Sequence, residues 1–228
     1  ARTGDPHVKI FEEERELTMM LLVDLSASEF FGTTDQFKRD IITEISATLA
    51  FSAIQNNDKV GLLLFSDEIE LFIPPKKGKS HVLRIIRELI EFQPKSKKTD
   101  IAMALRYLSQ VMKKKALVFL LSDFMDDEYD SPLKIASKRH DITGIRIYDK
   151  YEVEMPKIGI VPMEDVETGN VILVNTNNRN IRNSYKANYL ENVDYFETVF
   201  SKSGAGTIST RVDEGYVKKL LGYFKRRN

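Results

Sequence analysis

Cysteine and tryptophan are both absent from the 228 residues. Without cysteine there is no disulfide, no thiolate zinc site and no thiol nucleophile. Histidine is scarce, with His7, His81 and His140 the whole complement. None lies in a recognisable nucleophile setting, which argues against a serine hydrolase built on an imidazole base. A charge excess of either sign is also missing, since 34 basic residues face 34 acidic ones. Bulk attraction to nucleic acid or to an anionic membrane needs a basic excess, so neither is expected as a partner. The longest apolar runs, residues 19–23 and 116–121, fall far short of the ~20 residues of a membrane helix. No basic-then-apolar signal segment opens the chain. These absences lead to the expectation of a soluble, cytoplasmic protein.

The composition that remains is ordinary for a globular chain, with 42% hydrophobic and 30% charged residues. At ~100–200 residues per domain the length allows one large domain or two small ones. Four short runs are almost continuously apolar: residues 17–24 (LTMMLLVD), 59–65 (KVGLLLF), 116–121 (ALVFLL) and 142–147 (ITGIRI). Continuous rather than alternating apolarity predicts strands covered on both faces, as in a parallel sheet flanked by helices. Residues 68–73 follow the second run after a tight turn and predict an antiparallel edge strand, stopped by Pro74-Pro75.

Helical spacing separates the strands. Thr33 to Gln36 reads as a capping box ahead of Phe37, Ile41, Ile45 and Leu49 on one face. Val82, Leu83, Ile86, Leu89 and Ile90 trace a second stripe, and Ile101, Leu105, Leu108 and Met112 a third. Ser131-Pro132 predicts the start of a short helix, with Ser131 as its cap. Residues 157–161 and 170–174, with Thr168-Gly169 between, predict an inserted hairpin within 157–176. A long helix carrying Tyr185, Tyr189, Val193, Phe196 and Phe200 follows, then a strand near 207–212. A last helix carries Val217, Leu220, Leu221 and Phe224. The expected fold is one α/β domain over 1–228, a doubly wound and mostly parallel central sheet with one antiparallel edge strand.

In such sheets ligands bind beyond the carboxyl ends of the strands, where strand order reverses. Two strands end there in acids with hydroxyls beside them: Asp24-Leu25-Ser26-Ala27-Ser28 and Ser122-Asp123. Thr99-Asp100 opens the helix leading to the second. Two Ser hydroxyls, a Thr hydroxyl and two carboxylates make an all-oxygen set suited to a hard cation such as Mg²⁺. With few direct anionic ligands, such a cation keeps its attraction for a carboxylate supplied from outside.

The order DxSxS, then Thr, then Asp resembles the metal-ion-dependent adhesion site of von Willebrand factor A domains. The resemblance is closest to a bacterial branch associated with MoxR-type AAA ATPases. It runs through ARTGDPHVKIFEEERELTMMLLVDLSAS, DKVGLLLFSDEIELFIPPKKGKSH, TDIAMAL, LVFLLSDFMDD, RHDITGIRIYD and the terminal YFKRRN. Members commonly carry more residues upstream, so the chain reads as a C-terminal fragment of a longer protein. The resemblance implies that Ser26 and Ser28 ligate Mg²⁺ (or Mn²⁺/Ca²⁺) directly. It also implies that Asp24 and Asp123 act through bound waters and that Thr99 ligates in one conformational state.

Two departures stand out: Lys97-Lys98 precedes Thr99 where glycine is common, and Glu29 follows Ser28 where a neutral residue is usual. Both lysines and Glu29, with Asp126 and Asp127, are candidate partner-contacting residues. The function implied is a non-enzymatic interaction module that binds an acidic residue of a protein partner, a MoxR-type ATPase or its client. The alternatives are an Mg²⁺- or Mn²⁺-dependent hydrolase or phosphotransferase at the same site, and a metal-free scaffold in which Lys97-Lys98 or Glu29 fills it. Residues 76–98 carry eight Lys/Arg against two Glu, and 123–130 are acidic. The neutral sum is therefore expected to hide a polarised face, basic on one side of the site and acidic on the other.

Overall fold

The computed structural model describes residues 16–26, 37–164 and 170–227. The first apolar run forms β1 (Thr18–Asp24), and α1 (Lys38–Gln55) leads to β2 (Lys59–Phe65). β3 (Ile69–Lys76) turns back against β2, and α2 (Lys79–Glu91) and α3 (Ile101–Val111) follow. β4 (Leu117–Ser122), α4 (Asp130–Ser137) and β5 (Asp141–Tyr148) continue the alternation, and a single turn, α5 (Lys150–Val153), closes it. The hairpin is β6 (Ile160–Glu164) and β7 (Val171–Asn175), before α6 (Arg179–Lys202), β8 (Gly206–Arg211) and α7 (Tyr216–Arg227).

The sheet order is β3-β2-β1-β4-β5-β8, with only the β2–β3 pair antiparallel. The fold is thus the doubly wound von Willebrand A type. Strand order reverses between β1, whose neighbour on one side is β2, and β4 on its other side. Alternate side chains of each strand feed two cores. Met19, Leu21, Val23, Phe119 and Leu121 pack with α1, α2 and α7, while Met20, Leu22, Val118 and Leu120 pack with α3, α4 and α6. Burial on both faces is what the continuous apolar runs required.

Several local expectations are corrected. β3 runs on through Pro74 and Pro75, which an edge strand tolerates because the ladder with β2 is irregular between Val60 and Leu62. Phe37 is the half-exposed N-cap of α1 rather than part of its buried stripe. In α2 the buried residues are Val82, Ile85 and Leu89, leaving Leu83 and Ile90 exposed. In α7 Leu220 and Tyr223 are buried while Val217 and Leu221 face outward. α4 begins one residue ahead of Ser131, with Tyr129 at its N-cap. His140 lies in the turn before β5 and is buried there. The Thr33–Gln36 capping box and Thr168-Gly169 lie outside the described residues.

The expected basic side of one face also divides. Lys77 pairs with Glu16 at the start of β1, and Lys76 pairs in register with Val60 at the start of β2. Both therefore belong to the edge opposite Asp24. Of the basic run, Lys95, Lys97 and Lys98 lie at the edge with Asp24, on a loop tied by its Lys95 and Ser96 amides to Glu70 Oε1.

Candidate functional site

β1 and β4 are parallel neighbours, so their last residues emerge together at the switch point. Asp24 continues the Met20–Leu22 face and Ser122 continues the Val118–Leu120 face, so both turn toward the α3/α6 side. Ser122 Oγ donates to Asp24 Oδ2 at 2.7 Å, and the Ser26 amide donates to Asp24 Oδ1 at 2.8 Å. Asp24 is fully buried. That burial, followed by the neighbouring Asp123 carboxylate, pushes its pKa up to about 7 despite the bonds from Ser26 and Ser122.

Asp123 is one residue further along and continues the Phe119–Leu121 face, so it turns to the α1 side. There its Oδ2 accepts from Lys38 Nζ at 2.7 Å, and Lys38 also donates to Glu152 Oε1 of α5 at 2.6 Å. Lys38, in the first turn of α1, is fully buried. Asp123 Oδ1 accepts from the Met125 amide at 3.1 Å. Glu152 is raised from the ordinary carboxylate range, chiefly by burial, with Lys38 acting in the opposite direction.

Thr99 and Asp100 reach the same edge from the loop before α3. The Asp100 amide donates to the Ser66 carbonyl just beyond β2, and the Leu25 amide beyond β1 donates to the Phe65 carbonyl. Asp126 Oδ2 accepts from the Ile101 amide at 2.8 Å, tying the 123–130 loop to the start of α3. Burial first, and the nearby Asp100 and Asp127, raise Asp126 to about 6 against the lowering effect of its two amide bonds. The loop also holds Phe124 and Glu128 at φ 56°, a left-handed backbone that non-glycine residues keep only under tight packing.

Asp24, Ser26, Thr99, Asp123 and Asp126 are therefore at one edge, while Lys97, Lys98 and Asp127 are exposed at its rim. Ser28 and Glu29 lie outside the described residues. Lys38 and Glu152 escaped the sequence reading. Their signal was Lys38 itself, which shares a helical face with Ile41, Ile42 and Ile45, where a lysine is buried only with a partner. Asp126 has a second consequence. Asp126→Ala strips the Ile101 and Asp127 amides of their acceptor and is expected to cost about 1–2 kcal/mol. Hydrogen exchange at residues 99–103 should accelerate with it, and unchanged protection there would refute the tie.

The sheet order and its single antiparallel edge pair give this molecule a von Willebrand A-like α/β fold. More particularly, the chain belongs to the family described as "Protein of unknown function DUF58", which matches residues 1–194. It is similar to the Uncharacterized protein Rv1480 of Mycobacterium tuberculosis, 27% identical over 231 residues, covering all of this chain and 72% of that one. The Uncharacterized protein MAV169 of Mycobacterium avium is 26% identical over 159 residues, covering 68% of this chain and 93% of that one. Among solved structures it is similar to the conserved hypothetical protein BatB from Bacteroides thetaiotaomicron. That match has a TM-score of 0.56 and 15% identity, covering 92% of this chain and 97% of that one. The pilus adhesin SpaC from Lactobacillus rhamnosus GG matches with a TM-score of 0.53 and 14% identity, covering 93% of this chain and 30% of the adhesin. At these identities the likeness is one of fold. Among the described residues no helix is long and apolar enough to cross a membrane.

Proposed function

We propose that the carboxyl edge of the sheet is a protein-binding face that presents a divalent cation to an acidic residue of a partner, without catalysing a reaction. The observation that carries this reading is the buried Asp24 carboxylate at the switch point, lined by hydroxyls and set beside Asp123. A carboxyl pushed up to about 7 by burial and a like charge is one that a positive charge would relieve. The donors around it are oxygens, the chemistry a hard cation selects. These residues fit such an ion.

Asp24 and Ser26 would hold it on the α3/α6 side, with Ser28 and Thr99 completing the set that the family resemblance implies. Mg²⁺ or Mn²⁺ bound there supplies a centre of positive charge that attracts a carboxylate. The chain's own contribution is to fix the donors. Ser122 and the Ser26 amide orient Asp24, and Asp126 anchors the loop beside Thr99. Exposed Lys97 and Lys98 at the rim favour an acidic partner by long-range attraction. The partner implied by the resemblance is a MoxR-type AAA ATPase or its client, in the cytoplasm.

The test is capture of a MoxR-type ATPase from the same organism by wild type, Asp24→Ala and Ser26→Ala/Ser28→Ala, each with Mg²⁺ and with EDTA. Binding by the variants, and by wild type in EDTA, is expected to fall at least about tenfold, the loss of one charge-assisted contact. Equal capture in all arms would remove the cation from recognition. Phosphatase turnover abolished by Asp123→Ala would replace the interaction module with a hydrolase.

A further inference from the structure

β4 ends at Ser122 and Asp123 follows it, and their side chains part to opposite faces of the sheet. Ser122 meets Asp24 on the α3/α6 side, while Asp123 meets Lys38 on the α1 side. The edge is thereby split into two halves with different solutions for buried negative charge. On the α1 side a lysine of the chain itself, fully buried, bridges Asp123 to Glu152 with two short ion pairs. Burying an ammonium is costly unless it meets carboxylates in good geometry, and Lys38 has both. Its stem comes from the first turn of α1, and Asp123 and Glu152 come from the ends of β4 and from α5. One ammonium therefore joins three elements that are distant in sequence.

We infer that Lys38 is a resident cation that sets the metal affinity of this edge. It occupies the Asp123–Glu152 half, confines a divalent ion to the Asp24–Ser26 half, and holds that affinity down. The inference rests on the cation reading of the same edge. Two charges a few ångströms apart in a partly buried setting interact strongly enough to change an affinity by an order of magnitude or more. An ammonium on Oδ2 of Asp123 thus lowers the pull of that carboxylate on any ion beside Asp24. It also keeps Asp123 oriented without metal, so the edge is formed before an ion arrives. Lys38 is a positioning and affinity-setting residue, and it makes no contact with the partner because it is fully buried.

The experiment is calorimetric titration of MgCl₂ and MnCl₂ into wild type, Lys38→Met and Glu152→Gln, with thermal unfolding at each ion concentration. Lys38→Met keeps the stem's bulk and removes the charge, and it is expected to bind either ion at least about tenfold more tightly than wild type. Its unfolding temperature should rise more steeply with ion concentration. A merely structural lysine would instead weaken binding when removed. Glu152→Gln keeps an acceptor for Lys38, gives up the second acceptor that meets the Asp149 amide, and removes a negative charge beside the ammonium, so it should bind several-fold more weakly.

Lys38→Met binding no tighter than wild type, or Glu152→Gln binding as well as wild type, overturns the inference and leaves the cation reading standing. If Lys38→Met does not fold, the Glu152→Gln titration decides alone. Binding by Lys38→Met but not by wild type supports the role of Lys38 and sinks metal-dependent recognition by the natural chain. No binding by any of the three overturns both.

Discussion

Asp24→Asn is expected to be more stable than wild type at pH 8 by about 2–4 kcal/mol when divalent ions are removed with EDTA. The folded protein holds the Asp24 proton up to about 7, against an ordinary value of 3.8. Because that pKa is raised on folding, the native state binds more protons than the unfolded chain between the two values. Stability therefore falls as pH rises through this window and is lowest above it. At about 1.4 kcal/mol per pH unit, the full loss is on the order of 4 kcal/mol. Asparagine keeps an acceptor for the Ser26 amide and turns its amide to Ser122 Oγ, so the shape survives without the charge.

Denaturation of both proteins at pH 5 and pH 8 should show a steep loss in wild type and a shallower one in the variant. A residual slope of the same sign is expected from Asp126 and Glu152, which are also raised. Mg²⁺ at pH 8 should recover the wild type and leave the variant unmoved. Parallel pH profiles would show that Asp24 carries no such cost. A residue kept at a cost to stability is the pattern of a binding site rather than of a core.

Phe196→Ala is the second large effect, with a loss of about 3–5 kcal/mol expected for a fully buried phenylalanine. Its ring lies 4.2 Å from that of Phe124 and 4.7 Å from that of Phe200, centroid to centroid. Phe200 meets Phe124 edge-on at 5.3 Å. Gly144 of β5 makes room for this cluster, since a Cβ there would approach Phe200 Cε1 to 2.6 Å. The rings hold Phe124 in its left-handed backbone, and Phe124 sits between Asp123 and Asp126. Loss of Phe196 should therefore weaken Mg²⁺ binding as well as stability, whereas Phe196→Leu should cost less on both counts. A stability loss below about 1 kcal/mol, or an unchanged ion titration in a folded Phe196→Ala, would refute the support.

The strands were legible because a buried parallel strand leaves an unmistakable mark, a short unbroken apolar run such as MMLLV or LVFLL. Helices α1, α3 and α6 were legible through spacing. The stripes of α2 and α7 were misplaced where apolar side chains lie exposed, because Leu83, Ile90, Val217 and Leu221 look in sequence like their buried neighbours. The turn α5 passed unnoticed, being too short for periodicity to mark. Yet it carries Glu152, one of the acids that meets Lys38.

At the site, Asp24, Ser26, Thr99 and Asp123 could be gathered from sequence because strand ends converge in any doubly wound sheet. The balance of charge around them could not. The sequence marked Lys97-Lys98, adjacent to Thr99, as candidate partner contacts or, in one alternative, as filling the site, and they lie exposed at the rim. The buried cation is Lys38, which is 85 residues from Asp123 and 114 from Glu152. Sequence alone thus determined that there is a two-faced sheet and which oxygens crowd its switch point, because hydrophobic period and strand-end acids are local properties. Only tertiary structure decided which ammonium neutralises which carboxylate, because burial and proximity are set by how three distant elements pack.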